Sequence, residues 1–164
     1  MKKLFIYSIL VLFIVTSSAG FSSAATSEFG LAFGSFGSAR GTIVELRRND
    51  PFNVAATTVR FGAGYVLGED TDHIMRHHYL LVLDGIYRLQ PPQRQGVRSY
   101  FGAGLNFDLL TSDNRSGSLG GQFYWGGEVT FARGTLFLEA GYGLIRTGYS
   151  APTRGMNLLF GYRL

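Results

Sequence analysis

Nine charged side chains stand singly within apolar or glycine-rich stretches of the sequence. Members that share a stretch are an even number of residues apart, as Glu45 and Arg47 are, so in a strand they would lie on one face. Arginine has a planar fork of donors that can pair bidentately with a carboxylate where water is scarce. The set is Glu45, Arg47, Arg60, Asp84, Arg88, Asp108, Glu128, Glu139 and Arg163. With five acids and four arginines, its charges nearly cancel, which indicates a buried network of ion pairs.

A second group of chemically capable residues is the polar segment 68–77. It is rich in acids, and His73 and His77 are four residues apart. Two histidines at that spacing could chelate a divalent metal if the segment formed a helical turn. Nothing in the sequence fixes such a turn, so we expect a solvated surface loop and no bound metal or cofactor.

The elements that must position these residues alternate with a period of two, which is the period of β-strands. The clearest stretch has an apolar face of Phe101, Ala103, Leu105, Phe107 and Leu109, opposite Tyr100, Gly102, Gly104, Asn106 and Asp108. Stretches of this kind, separated by turn signals, predict strands over 29–34, 42–47, 58–67, 78–89, 100–109, 122–131, 136–144 and 156–164.

The two faces of these strands differ in a way that indicates which one is inside a barrel. The apolar face carries no charge along each predicted strand, as contact with lipid requires. The other face combines glycines with isolated Arg, Asp and Glu, which suits a narrow lumen better than a water-facing exterior. The fold prediction is therefore all-β: a single up-and-down antiparallel transmembrane β-barrel of about eight strands. A lipocalin-like soluble barrel is the alternative.

The N-terminus has the features of a secretory signal peptide. Lys2 and Lys3 precede an apolar run over 4–15, and small residues follow it. The run is shorter than the roughly 20 residues that a spanning helix needs. We therefore predict a cleaved signal peptide over 1–25 and one barrel domain over 26–164.

Composition excludes several classes of protein. The chain has no cysteine, which rules out disulfides, thiolate metal sites and a lipidated N-terminal cysteine. Both lysines lie in the predicted signal, so the remaining chain has thirteen arginines against eleven acids. These arginines are scattered rather than clustered on one face, and no nucleic-acid partner is expected.

The last ten residues carry a resemblance to a known class. The segment 155–164, Gly-Met-Asn-Leu-Leu-Phe-Gly-Tyr-Arg-Leu, resembles the closing strand of small eight-stranded outer-membrane barrels. Its alternating end is similar to a barrel-assembly recognition signal, although Leu164 stands where phenylalanine is usual. The resemblance implies a cell outer-membrane location in a Gram-negative envelope and recognition by the barrel-assembly machinery.

A second segment, 146–157, is similar to the late part of outer-membrane lipid A deacylases. Ser150 would match the family's catalytic serine, but Gly148 occupies the place of its histidine, and the family's acid would fall near Gln122. Without a base to take its proton, a serine is a weak nucleophile. The resemblance therefore implies a barrel that lacks the deacylase machinery.

These observations together predict a structural or surface-interaction role. An eight-stranded barrel has an interior only wide enough for side chains, so a plug of ion pairs, with Arg60 paired to Glu128 or Glu139, is expected rather than an ion path. Loops at 68–77 and 111–121 would contact lipopolysaccharide, host molecules or envelope proteins, and the barrel itself outer-membrane lipid. We expect a monomer. The alternatives are a deacylase-like enzyme and a narrow channel.

Overall fold

The computed structural model describes residues 26–51, 54, 56–69, 75–89, 96–109, 118–145 and 153–164. Within them lie eight strands: β1 (Ser27–Phe36), β2 (Ala39–Asn49), β3 (Thr57–Glu69), β4 (Met75–Arg88), β5 (Gly96–Asp108), β6 (Ser118–Phe131), β7 (Gly134–Ile145) and β8 (Thr153–Arg163). Each strand pairs with the next, and β8 pairs antiparallel with β1 to close the barrel. The predicted all-β, eight-stranded, up-and-down barrel is confirmed. The predicted signal peptide, 1–25, lies outside the described residues.

The barrel has two distinct ends. The end where β1 begins and β8 ends also holds the connections 50–56, 89–95 and 132–133, and we call it the termini end. The opposite end, which we call the loop end, holds the connections 37–38, 70–74, 109–117 and 146–152. In the tight turn between β1 and β2, Gly37 has φ of 60°, a conformation that glycine adopts without steric cost.

The strands are 10–14 residues long. A tilted strand needs about 9–11 residues to cross a bilayer, so each is long enough to span one. None of the described residues belongs to a helix that is long and apolar enough to cross a membrane.

The connection between β3 and β4 is shorter than the sequence predicts. β3 continues to Glu69 and β4 begins at Met75, and these two residues pair in register. The connection is therefore 70–74, shorter than the expected loop 68–77. Backbone hydrogen bonds extend the ladder regardless of whether the side chains are polar, and side-chain polarity was the signal that predicted a loop here.

The strands place apolar side chains outside and polar ones inside. Phe101 and Trp125 are 51% and 52% exposed on the exterior, whereas Arg47 and Glu45 are each 1% exposed in the interior. This polarity is the reverse of a soluble protein, and it agrees with the facing predicted from alternation. The nine charged residues singled out in the sequence lie on this interior face.

Candidate functional site in the barrel interior

All nine charged residues singled out in the sequence point into the barrel, and each is less than 7% exposed. They come from β2, β3, β4, β5, β6, β7 and β8, so they meet only because the barrel closes. Eight of the nine belong to two linked networks of ion pairs. Asp108 is the exception, since none of its contacts with described side chains is to an arginine.

The central network joins opposite walls of the barrel through two arginines. Arg60 on β3 donates from Nη1 to Glu139 Oε2 on β7 at 2.7 Å and from Nε to Asp84 Oδ2 on β4 at 2.6 Å. Arg47 on β2 donates from Nε to Glu45 Oε1 at 2.8 Å and from Nη2 to Glu139 Oε1 at 2.5 Å. Because Glu139 accepts from both arginines, the network is one connected unit.

Aromatic rings enclose the central network. Tyr100 donates its hydroxyl hydrogen to Glu139 Oε1 at 2.7 Å, and the Arg60 guanidinium lies 4.6 Å from the centroid of the Tyr124 ring. Cations over aromatic faces are stabilised by the ring quadrupole, and more strongly so where water is excluded. Both arginines of the central network therefore have an aromatic ring beside them, and Glu139 and Asp84 each accept from a tyrosine hydroxyl.

Two glycines make room for those rings. Gly126 lies opposite Tyr100, and Gly102 opposite Tyr124, in the register of β5 and β6. A Cβ atom added at either glycine would overlap the facing tyrosine ring. The glycines on the interior face are therefore part of the packing around the charges.

The second network lies nearer the termini end and consists of Glu28, Arg88, Arg98, Glu128 and Arg163. Arg163 on β8 donates from Nη1 to Glu28 Oε2 at 2.8 Å and also bonds Glu128 on β6. Arg98 Nη2 lies 3.0 Å from Glu128 Oε1. A weaker contact of 3.6 Å between Arg163 Nε and Glu45 Oε1 links this termini network to the central one.

The two networks together are electrically balanced. They hold five arginines and five carboxylates, so their formal charges cancel. Buried charges are tolerated only when paired and hydrogen-bonded. Every charge in the two networks has an ionic partner, and several of these contacts cross the lumen. The pairing is complete, but Arg98 Nε, Glu128 Oε1 and Arg163 Nε in the termini network are buried without a hydrogen bond to any described residue.

The loop end of the lumen is filled differently, by an apolar cluster. Its members are Phe36, Ala39, Ile43, Val66, Leu80, Val82 and Leu159, all inside the barrel and nearly inaccessible. Beside it, Asp108 Oδ2 lies 2.8 Å from His78 Nδ1, and both side chains are buried. Among the described side chains, the predicted ion-pair residue Asp108 thus has a histidine as its partner.

Comparison with known proteins shows which solved structures share this architecture. No family model matches the sequence, and no curated protein matches it. Among solved structures, the barrel is similar to a major outer membrane protein from Thermus thermophilus, with a TM-score of 0.55 and 15% identity over 86% of this chain and 100% of that chain. The chain has the fold of the small outer-membrane barrels.

Two further outer-membrane barrels are similar at lower scores. The N-terminal β-barrel domain of Pseudomonas aeruginosa OprF has a TM-score of 0.46 and 21% identity, over 84% of this chain and 97% of that chain. The outer membrane enzyme PagL has a TM-score of 0.48 and 17% identity, over 84% of this chain and 98% of that chain. Identities this low show a shared fold and do not carry over an activity.

Of the catalytic positions in the deacylase resemblance, the structure describes Gln122 but neither the serine nor the glycine. Ser150 and Gly148 lie outside the described residues. Gln122, at the position that the deacylase resemblance implies for the acid, lies in the lumen and donates to Asp84 Oδ1 at 2.9 Å. Its amide therefore belongs to the surroundings of the central network.

Of the two metal candidates, only His77 is described. His73 lies outside the described residues, and His77 is on the exterior face of β4, where it bonds the Tyr65 hydroxyl. His77 therefore sits in an extended strand rather than in the helical turn that a His73–His77 chelate would require. No group of three or more His, Cys, Asp or Glu side chains within the described ranges could hold a metal ion.

Sequence reasoning missed two members of the termini network, Glu28 and Arg98. The predicted strands began at 29 and 100, whereas β1 and β5 begin at Ser27 and Gly96. Glu28 lies two residues before Gly30, and Arg98 lies two residues before Tyr100, so each is on the same interior face as its neighbour. Extending the alternation by two residues would have found them.

Proposed function

We propose that this protein is a closed, monomeric barrel of the outer membrane with a structural or surface-interaction role. The observation that carries the proposal is the filled lumen. Two balanced networks of charges occupy its centre and its termini end, and an apolar cluster occupies its loop end. A barrel filled in this way offers its surface for interactions.

The packing of the interior argues against a channel. An ion path needs water or unpaired polar groups along its length, whereas the Arg60 and Arg47 guanidiniums lie between carboxylates and aromatic rings. A small interior cavity beside Arg60 and Gln122 has room for about one water molecule. The apolar cluster at the loop end then adds a dry barrier.

The exterior supports a membrane location. Large apolar side chains are exposed around the barrel, including Phe33, Leu83 and Phe160 at 42–54%. Such an area would aggregate in water but suits the hydrocarbon of a bilayer. At the loop end, Arg40 and Arg154 are exposed where they would meet anionic groups of lipopolysaccharide.

The closing strand supports recognition by the barrel-assembly machinery. β8 presents Met156, Leu158, Phe160 and Tyr162 outward at alternate positions, and Leu164 continues the pattern. Leu164 donates its backbone N–H to the Phe29 carbonyl at 2.8 Å. The segment that the resemblance implies as the assembly signal is thus also the strand that closes the barrel.

Planar-bilayer recording tests closure of the lumen. Wild-type protein should give no steady unitary conductance at either polarity. The matched control is Arg60→Ala combined with Glu139→Ala, which keeps the net charge and removes a pair that bridges the lumen; it should conduct more than wild type. Steady unitary steps from the wild-type protein would overturn closure and support the channel alternative.

A further inference from the structure

An apolar groove crosses the exterior of the barrel from β3 to β7. Its floor is formed by Gly85 and Ala103, which are direct neighbours in the register of β4 and β5. Tyr87, Phe101 and Trp125, also neighbours in register, form one wall. The groove has a volume of about 830 Å³, and its lining is almost entirely apolar.

The small residues on its floor are not required by the barrel itself. Gly85 does not have a positive φ, so its backbone conformation suits any residue. A Cβ added there would meet nothing closer than the Ala103 carbonyl oxygen at 4.0 Å. This contrasts with Gly102 and Gly126, where an added Cβ would strike a ring inside the barrel. The space above Gly85 is therefore available to an external ligand.

We infer that this groove holds one acyl chain of a glycerophospholipid. The inference rests on the proposed membrane location, because the groove is continuous with the apolar exterior that faces lipid. Neighbouring strands are about 4.8 Å apart, so a floor two strands wide matches a single hydrocarbon chain. Contact with flat aromatic walls supplies the packing that retains one chain where the surrounding lipid is equally apolar.

The position of the groove indicates which leaflet of the membrane supplies the acyl chain. It opens at the termini end, beside Pro51 and Val54 in the connection between β2 and β3, and reaches Ala140 in the middle of β7. With the loop end facing the cell exterior, a chain entering beside Pro51 comes from the inner leaflet. The ligand is therefore a phospholipid rather than lipid A, whose chains enter from the opposite leaflet.

A second copy of the protein fits the groove poorly. The exterior of another barrel presents large side chains side by side on adjacent strands, such as Phe33 on β1 and its register neighbour Phe160 on β8. The floor of the groove is only two strands wide, so it does not match such rows. A dimer is nevertheless an outcome that the experiment can detect.

Trp125 is the single tryptophan of the chain and lies in the groove wall, so it reports on the groove directly. The full-length protein would be reconstituted in phosphatidylethanolamine vesicles with brominated acyl chains, extracted in mild unbrominated detergent, and examined by Trp125 fluorescence and native mass spectrometry. The test variant is Gly85→Leu, which fills the floor. The matched control is Gly127→Leu, an exterior glycine outside the groove whose added Cβ also has open space.

Wild type and Gly127→Leu should keep one brominated lipid and stay quenched, whereas Gly85→Leu should lose both signals. The inference is overturned if wild type keeps no lipid, if both variants lose it equally, or if the Gly85-dependent species is a dimer. In a second reconstitution, into vesicles that contain both phosphatidylethanolamine and lipid A, retention of lipid A in preference to phospholipid would overturn the inner-leaflet assignment. A heat-dependent gel shift separates the two claims: protein that folds in lipid but keeps none refutes only the groove, and protein that never enters lipid refutes the membrane proposal.

Discussion

The centre and the loop end of the lumen are both filled by side chains, but the centre is filled by paired charges and the loop end by apolar groups. At the centre, Arg60 and Arg47 share Glu139 in a network that spans opposite walls. At the loop end, Ile43, Val66 and the rest of the apolar cluster fill a similar width with hydrocarbon alone. Both parts draw on β2, β3 and β4, and β2 contributes Ile43 to one and Glu45 to the other.

The difference shows that interior polarity in this barrel is a local property. In the charged part, each group depends on a particular partner, because an unpaired buried charge is far more costly than a missing methyl group. In the apolar part, volume is what matters, since dispersion contacts have no required partner. The two parts should therefore respond differently to substitution.

The largest expected effect is from Arg60→Leu, which removes the cation that contacts Glu139, Asp84 and Glu45 together and leaves Arg47 to neutralise Glu139 and Glu45. Breaking a buried pair from one side costs about 3–5 kcal/mol. Denaturant unfolding in detergent micelles should show a loss of this order. Adding Glu139→Gln should recover part of it, because fewer uncompensated charges then remain.

Glu128→Gln is the matched control for that rescue. Glu128 contacts Arg163 and Arg98 rather than Arg60, so its substitution should add a further loss to Arg60→Leu. If Glu128→Gln rescued as well as Glu139→Gln, the two networks would not be distinct. A neutral Arg60→Leu would remove the claim that partner identity governs the central part.

A smaller effect is expected from Gly126→Ala, which tests the packing of rings around the charges. The added Cβ would overlap the Tyr100 ring, and overpacking of this kind costs about 1–3 kcal/mol. Gly127→Ala, one residue along and on the exterior, should stay within about 0.5 kcal/mol of wild type. Equal unfolding midpoints for the two variants would show that the interior glycines are not needed for the rings.

The smallest effect is expected in the apolar cluster, from Ile43→Val. Removing one buried methylene costs about 0.5–1.5 kcal/mol, and no second substitution should rescue it, because only volume is lost. Val44→Ala, on the exterior of the same strand, serves as the control and should change stability by less than about 0.5 kcal/mol. A loss from Ile43→Val as large as that from Arg60→Leu would erase the distinction between the two parts.

The fold was predictable because alternation with a charge-free face is enough to locate strands and to orient them. The pairing of charges was not. The sequence left Glu128 and Glu139 as alternative ion-pair partners of Arg60, and in the structure the partner is Glu139. Which residues face each other across a barrel depends on the stagger of all eight strands, and a pattern within one strand does not specify it.

The apolar cluster was missed for a related reason. The second face of β4 reads as mixed, since Leu80 and Val82 stand on the same face as Asp84, and no rule of alternation says how to treat it. In the barrel, Leu80 and Val82 lie at the loop end with Ile43, while Asp84 lies in the central network. Position along the barrel axis, which is set by register, separates them.

The most direct test of a barrel that spans the outer membrane uses the absence of cysteine in the chain. Ser38→Cys and Arg133→Cys each place one thiol in an exposed two-residue turn, at the loop end and the termini end respectively. In intact Gram-negative cells, a membrane-impermeant maleimide should label the Ser38→Cys variant at once. It should label the Arg133→Cys variant only after the outer membrane is permeabilised. Three results would contradict a barrel that spans the outer membrane with its loop end outside. They are labelling of both positions in intact cells, labelling of position 133 alone, and labelling of neither position after permeabilisation.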